Sequence, residues 1–200
     1  MAEQVKTRDR MYVVKKEKQA PQLDMKKLEE AVHYICTRAS GNLGAVKLNK
    51  ILFYSDFKAY QKLGKPITSA SYLAWEHGPV PEERYVIQYN MVQSGELAKR
   101  QLGRQSQFVA LRDPDLKQFS AEEIEIVDHI LAAVDADTAN AVSDRVHRES
   151  LGWLAAYAEH EATGRQVPIP YETVFVSNRA VDEFEETRLL SLAEKDGWIS

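Results

Sequence analysis

His77 and Asp56 are the pair in this 200-residue chain that could move a proton. A histidine within reach of a carboxylate can serve as general acid or base. His77 follows Trp75 and precedes a Gly78-Pro79 turn, from which it could face Asp56 or Tyr54 on the helix before it. The same imidazole can also fix a turn by satisfying buried polar groups. No nucleophile, metal set or cofactor motif lies near it, so the structural role is the expectation. Histidines stand at 33, 77, 129, 147 and 160, none paired with another at helical spacing, so no helical metal site is expected. His147, in His147-Arg148-Glu149, reads as a helix-end histidine. Cys36 is the only cysteine, which rules out an intramolecular disulfide and a zinc site built on several thiolates. It lies on an apolar helix face, the place of a small buried hydrophobe rather than a reactive thiol. Gly41-Asn42-Leu43-Gly44 lacks the Lys-Ser/Thr of a phosphate loop, and no Gly-x-Ser-x-Gly elbow occurs. No cofactor is expected.

The element that must position these groups spans residues 46–63. Leu48, Ile51, Leu52, Ser55, Ala59 and Leu63 keep the spacing of one helix face, and Phe53, Phe57 and Tyr60 form a second stripe. Two stripes mean that the helix is covered on more than one side. Gly64 ends it and Pro66 stops continuation. A first helix over residues 21–38 is capped near Asp24. Residues 69–75 are either extended or a short helix. Pro81 opens a helix running to Gly95, with Tyr85, Tyr89 and Val92 as its apolar face. Residues 97–112 read as a small β-hairpin. Ser120 and Glu123 form a capping box ahead of Ile124, Val127, Ile130, Leu131 and Val134. Asp137 or Thr138 caps the next helix, a short helix over 151–158 carries Trp153, Pro168 to Tyr171 is a rigid turn, and residues 173–176 are a candidate strand. The fold class is mainly α, of the α+β kind: a compact helical domain around a central buried helix, 46–63, with a hairpin at about 97–112.

Three segments are expected: a basic extension, 1–20; the helical domain, 21–176; and an acidic C-terminal helix, 177–200. The apolar fraction of 44% is enough to build a core, and a net charge of −4 gives no global attraction for nucleic acid or anionic membrane. Residues 1–100 carry 17 Lys and Arg against 11 Asp and Glu, whereas residues 101–200 carry 9 against 19. That asymmetry suits solvated helix faces, and also a polar partner interface at either end. Lys47, Lys50, Lys58 and Lys62 run along the central helix, and the last three could reach solvent on one side. They lack a helix-turn-helix partner, so specific DNA binding ranks below protein binding. No apolar run approaches the ~18 residues of a membrane span, the N-terminus has no apolar signal core, and a reducing cytoplasm is the expected setting.

Three blocks in order resemble the Panacea, or SocA-like antitoxin, domain family. They are Lys47-Leu48-Asn49-Lys50-Ile51-Leu52-Phe53-Tyr54-Ser55-Asp56, then Gly64-Lys65-Pro66-Ile67, then Trp75-Glu76-His77-Gly78-Pro79-Val80-Pro81. Phe119-Ser120, Val146-His147-Arg148-Glu149, Trp153 and Ile169-Pro170-Tyr171-Glu172 extend the similarity, which covers roughly residues 25–175. The resemblance implies a non-enzymatic bacterial or prophage antitoxin that neutralises a cognate protein toxin by direct binding, in a homo-oligomer or a complex with the toxin. Promoter autoregulation and delivery of the toxin to a protease are alternatives, and an enzyme using His77 with Asp56 is a more distant one. It also implies that Lys50, Tyr54, Asp56, Trp75, His77, Gly78, Pro79, His147, Trp153 and Pro170 build a shared scaffold. Specificity would then fall to the ends: Tyr12, Val13, Val14 and Lys15 in the basic arm, and Phe184, Glu185 and Glu186 in the acidic helix.

Overall fold

The computed structural model describes residues 22–40, 43–102 and 105–176. Among them, helix α1 (Met25–Arg38) starts at Asp24, whose carboxylate accepts from the Lys27 backbone N–H at 2.9 Å. Helix α2 (Ala45–Leu63) ends at Gly64, which takes the left-handed conformation at φ 73°. Every residue from 47 to 53 is buried on α2, as are Ser55, Asp56, Phe57 and Ala59. Both apolar stripes are therefore covered up to the last turn, where Tyr60 is half-buried and Leu63 is exposed. Helix α4 (Ala121–Val134) and α5 (Ala139–Glu149) pack on α2 together with α1, and each large aliphatic or aromatic side chain so buried contributes about 1.5–3 kcal/mol. The capping box forms as expected: Glu123 N–H reaches Ser120 Oγ at 3.3 Å, and Ser120 N–H reaches Glu123 Oε2 at 2.9 Å. Glu123, itself buried, also accepts from Lys27 Nζ at 2.7 Å and so locks the start of α4 to α1. Thr138 caps α5 and Ser150 caps α6 (Leu151–Thr163).

Two antiparallel hairpins complete the described fold. Strands β1 (Tyr72–Trp75) and β2 (Gly78–Pro81) pair with Tyr72 opposite Pro81 and Trp75 opposite Gly78. Residues 69–75 thus resolve as extended chain from Tyr72 onward. The other edge of β1 is taken by residues 167–169, where the Ile169 N–H donates to Tyr72 O at 2.8 Å. β2 is left as the outer strand, the position where its two prolines cost no ladder bond. Strands β3 (Leu97–Leu102) and β4 (Gln105–Ala110) form the hairpin expected near 97–112. It is pinned to α1 by Arg112, whose guanidinium donates to Glu30 at 2.8 and 3.0 Å and to Glu96 at 2.9 Å.

Three expectations are corrected. Pro81 closes β2 instead of opening a helix. The helical segment that follows passes through a π-helical stretch, Val86–Asn90, into a short turn α3 (Met91–Gln93). This segment buries Ile87 and Met91 and leaves Tyr85 and Tyr89 70% and 62% exposed. Both pairs share the same i, i+4 spacing, so periodicity could not choose between them; the all-aliphatic ridge loses no hydroxyl hydration on burial. Residues 173–176 are not a strand, because residues Tyr171–Phe175 form a 3-10 turn after Pro170, with Thr173 Oγ1 donating to Pro170 O at 2.7 Å. Lys50 does not reach solvent: it is 1% exposed. The candidate contacts Tyr12, Val13, Val14, Lys15, Phe184, Glu185 and Glu186 lie outside the described residues.

Candidate functional site

Helix α2 presents polar groups on both of its buried faces, and each is met by a segment far away in the chain. Asp56 is fully buried. Its carboxylate accepts from the Thr68 N–H at 2.8 Å, the Thr68 hydroxyl, and the Tyr72 hydroxyl at 2.8 Å. The Tyr171 hydroxyl gives its proton to Ala70 O at 2.6 Å and stands 3.4 Å from the carboxylate, a secondary contact because one proton cannot serve both. Burial pushes the Asp56 carboxyl above its usual range, while the donors of Thr68 and Tyr72 pull the other way. Burial, with the carboxylate beside it, raises the Tyr72 hydroxyl well above 10, so Tyr72 acts as a donor. The rings of Phe53, Phe57, Tyr72 and Tyr171 close around this group at centroid separations of 4.1–6.4 Å. Asp56 therefore anchors β1 and the 3-10 turn to α2.

Lys50 projects into the β1–β2 hairpin. Its Nζ donates to Pro79 O at 3.2 Å, and its tail lies against Gly78 so closely that a Cβ there would stand 2.5 Å from Cε. Desolvation lowers the amine to about 7. Trp153 on α6 donates its indole N–H to Trp75 O at 3.1 Å, and Ser143 on α5 donates to His77 O at 3.1 Å. His147 stacks on Trp153 at 4.1 Å with planes 10° apart, and burial lowers its pKa, which favours the neutral ring. The hairpin tip is thus held by backbone carbonyls to α2, α5 and α6.

This arrangement separates the proton-transfer pair. Asp56 is fully buried among Thr68, Tyr72 and Tyr171, whereas the His77 side chain is exposed at the turn and contributes its carbonyl. Facing of His77 toward Asp56 does not occur. Lys50, Gly78 and Pro79 meet directly, Trp75 meets Trp153, on which His147 stacks, and Pro170 starts the turn that brings Tyr171 near Asp56. The sequence reading missed Thr68, Tyr72, Tyr171 and Ser143. Their hydroxyls carry no spacing signal, since Tyr171 lies 115 residues from its partner. Cys36 packs against the core, and burial raises its thiol to about 12, a protonated and unreactive state at neutral pH. Tyr54 lines a cleft of about 360 Å³ with Phe53, Phe57, Ile130, Leu151 and Val174, and its hydroxyl is buried without a partner among the described residues. Among the described residues, no His, Cys, Asp and Glu side chains cluster to hold a metal, and no helix is long and apolar enough to cross a membrane.

The buried amine gives a pH signature. Below pH ~7 Lys50 is charged in both states and the folded protein bears the full burial penalty. Between ~7 and ~10.4 the unfolded chain holds a proton that the folded chain lacks, so stability rises with pH. Urea unfolding of the wild type minus that of Lys50→Met is expected to show a difference that grows in the wild type's favour by about 1 kcal/mol per pH unit from pH 7 to 9.5. A flat difference would mean that the amine stays protonated in the fold.

Residues 48–154, just over half of the chain, match the family model described as "Antitoxin SocA-like, Panacea domain". The match runs from early α2 through both hairpins, α4 and α5 into α6. It is shorter than the span of 25–175 read from the sequence, leaving out α1 and the turn at Pro170. No curated protein and no solved structure matches the chain.

Proposed function

This chain belongs to the SocA-like Panacea antitoxin domain family, and from that premise we propose that it neutralises a protein toxin by binding it directly. The observation that carries the reading is the fate of the polar motif residues within the matched span. Asp56, Lys50 and the carbonyls of Trp75, His77 and Pro79 are consumed in bonds that hold α2, the β1–β2 hairpin, α5 and α6 together. A scaffold whose characteristic polar groups point inward is suited to present a surface rather than to turn over a substrate. Neutralisation then means occluding the toxin's active surface, in the cytoplasm where toxin and target meet. We propose the division into an arm, 1–20, a domain, 21–176, and an acidic segment, 177–200, with Tyr12, Val13, Val14 and Lys15 and with Phe184, Glu185 and Glu186 as contacts added to that surface.

The test is co-expression of the full chain with the small toxic protein encoded beside it, followed by co-purification and growth rescue. A stable complex that restores growth is expected, weakened by deletion of residues 1–20 or 181–200. Rescue without a complex would sink direct binding and favour protease delivery. Steeply salt-dependent binding of the chain to its own promoter, with no toxin complex, would favour the autoregulator.

A further inference from the structure

The segment after β2, together with Trp75 at the end of β1, carries an aromatic and arginine ledge in which Trp75 and Arg84 are half-buried and Tyr85 and Tyr89 are exposed. Arg84 lies with its guanidinium carbon 4.6 Å from the Trp75 ring centroid and 4.7 Å from that of Tyr85. The two rings hold the planar cation in place. None of its N–H groups has a carboxylate, carbonyl or hydroxyl acceptor among the described residues. Tyr85 and Tyr89 extend the ledge one helical turn further, at 70% and 62% exposure. They stand out because the π-helical stretch turns Ile87 and Met91, the ridge with the same spacing, into the core. Such π-helical turns recur at functional positions.

We propose that Trp75, Arg84, Tyr85 and Tyr89 form the toxin-docking surface of the domain, and that the toxin segment received there pairs a carboxylate with an apolar side chain. The inference rests on the direct-binding reading above and names where the contact falls within the described fold. A stacked arginine with an unused fork is built for bidentate carboxylate recognition. The tyrosines offer a rigid, half-apolar floor at low entropic cost, and Trp, Tyr and Arg are the residue types that dominate binding energy at protein interfaces. Nucleic acid fits less well. It requires several cations along a phosphate track, whereas Arg84 is the one cation among the four ledge residues.

The test uses the full chain and the co-purified toxin, with affinity measured by titration calorimetry and folding by thermal melting. Arg84→Gln and the double variant Tyr85→Ala/Tyr89→Ala are each expected to weaken binding at least tenfold, or about 1.4 kcal/mol, with little change in melting temperature. Arg84→Lys, which keeps the charge and loses the fork, is expected to fall well short of wild-type affinity. Wild-type affinity in all three variants would overturn the ledge and leave the antitoxin reading standing. A wild-type chain that forms no complex with its neighbouring toxin would overturn both. Loss of RNA or DNA binding, in place of toxin binding, on Arg84→Gln would assign the ledge to nucleic acid and overturn the proposal.

Discussion

Asp56→Ala is expected to lower the unfolding free energy by about 3–5 kcal/mol, the range for breaking a buried charged network by removing one partner. The loss has three sources. The Thr68 N–H and hydroxyl and the Tyr72 hydroxyl lose their acceptor inside the core. The aromatic group of Phe53, Phe57, Tyr72 and Tyr171 loses the anchor that fixes it. The 3-10 turn also loses its secondary contact, although Tyr171 keeps its bond to Ala70 O. Asp56→Asn separates these effects. Its side-chain carbonyl can still accept one hydroxyl, so a loss of about 1–3 kcal/mol is expected. Urea unfolding followed by tyrosine and tryptophan fluorescence reads both values. A cost below about 1 kcal/mol for Asp56→Ala would show that α2 and β1 are held by apolar packing alone.

Gly78→Ala is the second large effect, expected to cost about 2–4 kcal/mol. Gly78 has φ 98°, a conformation an L side chain rarely adopts, and the new methyl would stand 2.5 Å from Lys50 Cε and 2.8 Å from Nζ. A lysine tail is flexible and would yield at an exposed site. Here it is 1% exposed, and moving it breaks the hydrogen bond of a buried amine to Pro79 O. The double variant Lys50→Ala/Gly78→Ala distinguishes the two causes, because removing the tail relieves the clash and leaves the backbone strain. The two substitutions should therefore cost less together than the sum of their separate costs. Strict additivity would contradict the close approach of Lys50 to Gly78.

Both predictions concern the same piece of the molecule, the β1–β2 hairpin with its tip at His77, and both bear on function. Trp75, one floor of the Arg84 stack, is the last residue of β1, and its carbonyl is held by Trp153. A variant that loosens the hairpin should blunt toxin binding through position alone. That is why the interface variants must be chosen among exposed side chains and checked by melting temperature.

Most local rules were written in the chain, although Pro81 closes a strand and Tyr171–Phe175 form a 3-10 turn against expectation. The two stripes of α2 predicted a helix covered on two sides. Asp24, Ser120 with Glu123, and Asp137 or Thr138 marked helix starts, Gly64 marked an end, and residues 97–112 marked a hairpin, because each depends on groups within a few residues of one another. The family was legible for the same reason: its blocks are short and contiguous. Tertiary structure decided the rest. Lys50 sits on a helix whose polar residues could have faced water, and only the placement of Pro79 and Gly78 over it shows that it is buried. Asp56 is satisfied by hydroxyls 12 and 16 residues away, with Tyr171 brought beside it from 115 residues away, and no spacing rule reaches that far. Tyr85 and Tyr89 against Ile87 and Met91 is the sharpest case. Two ridges with identical periodicity compete for one core, and the outcome is set by which face of the helical segment the rest of the fold covers.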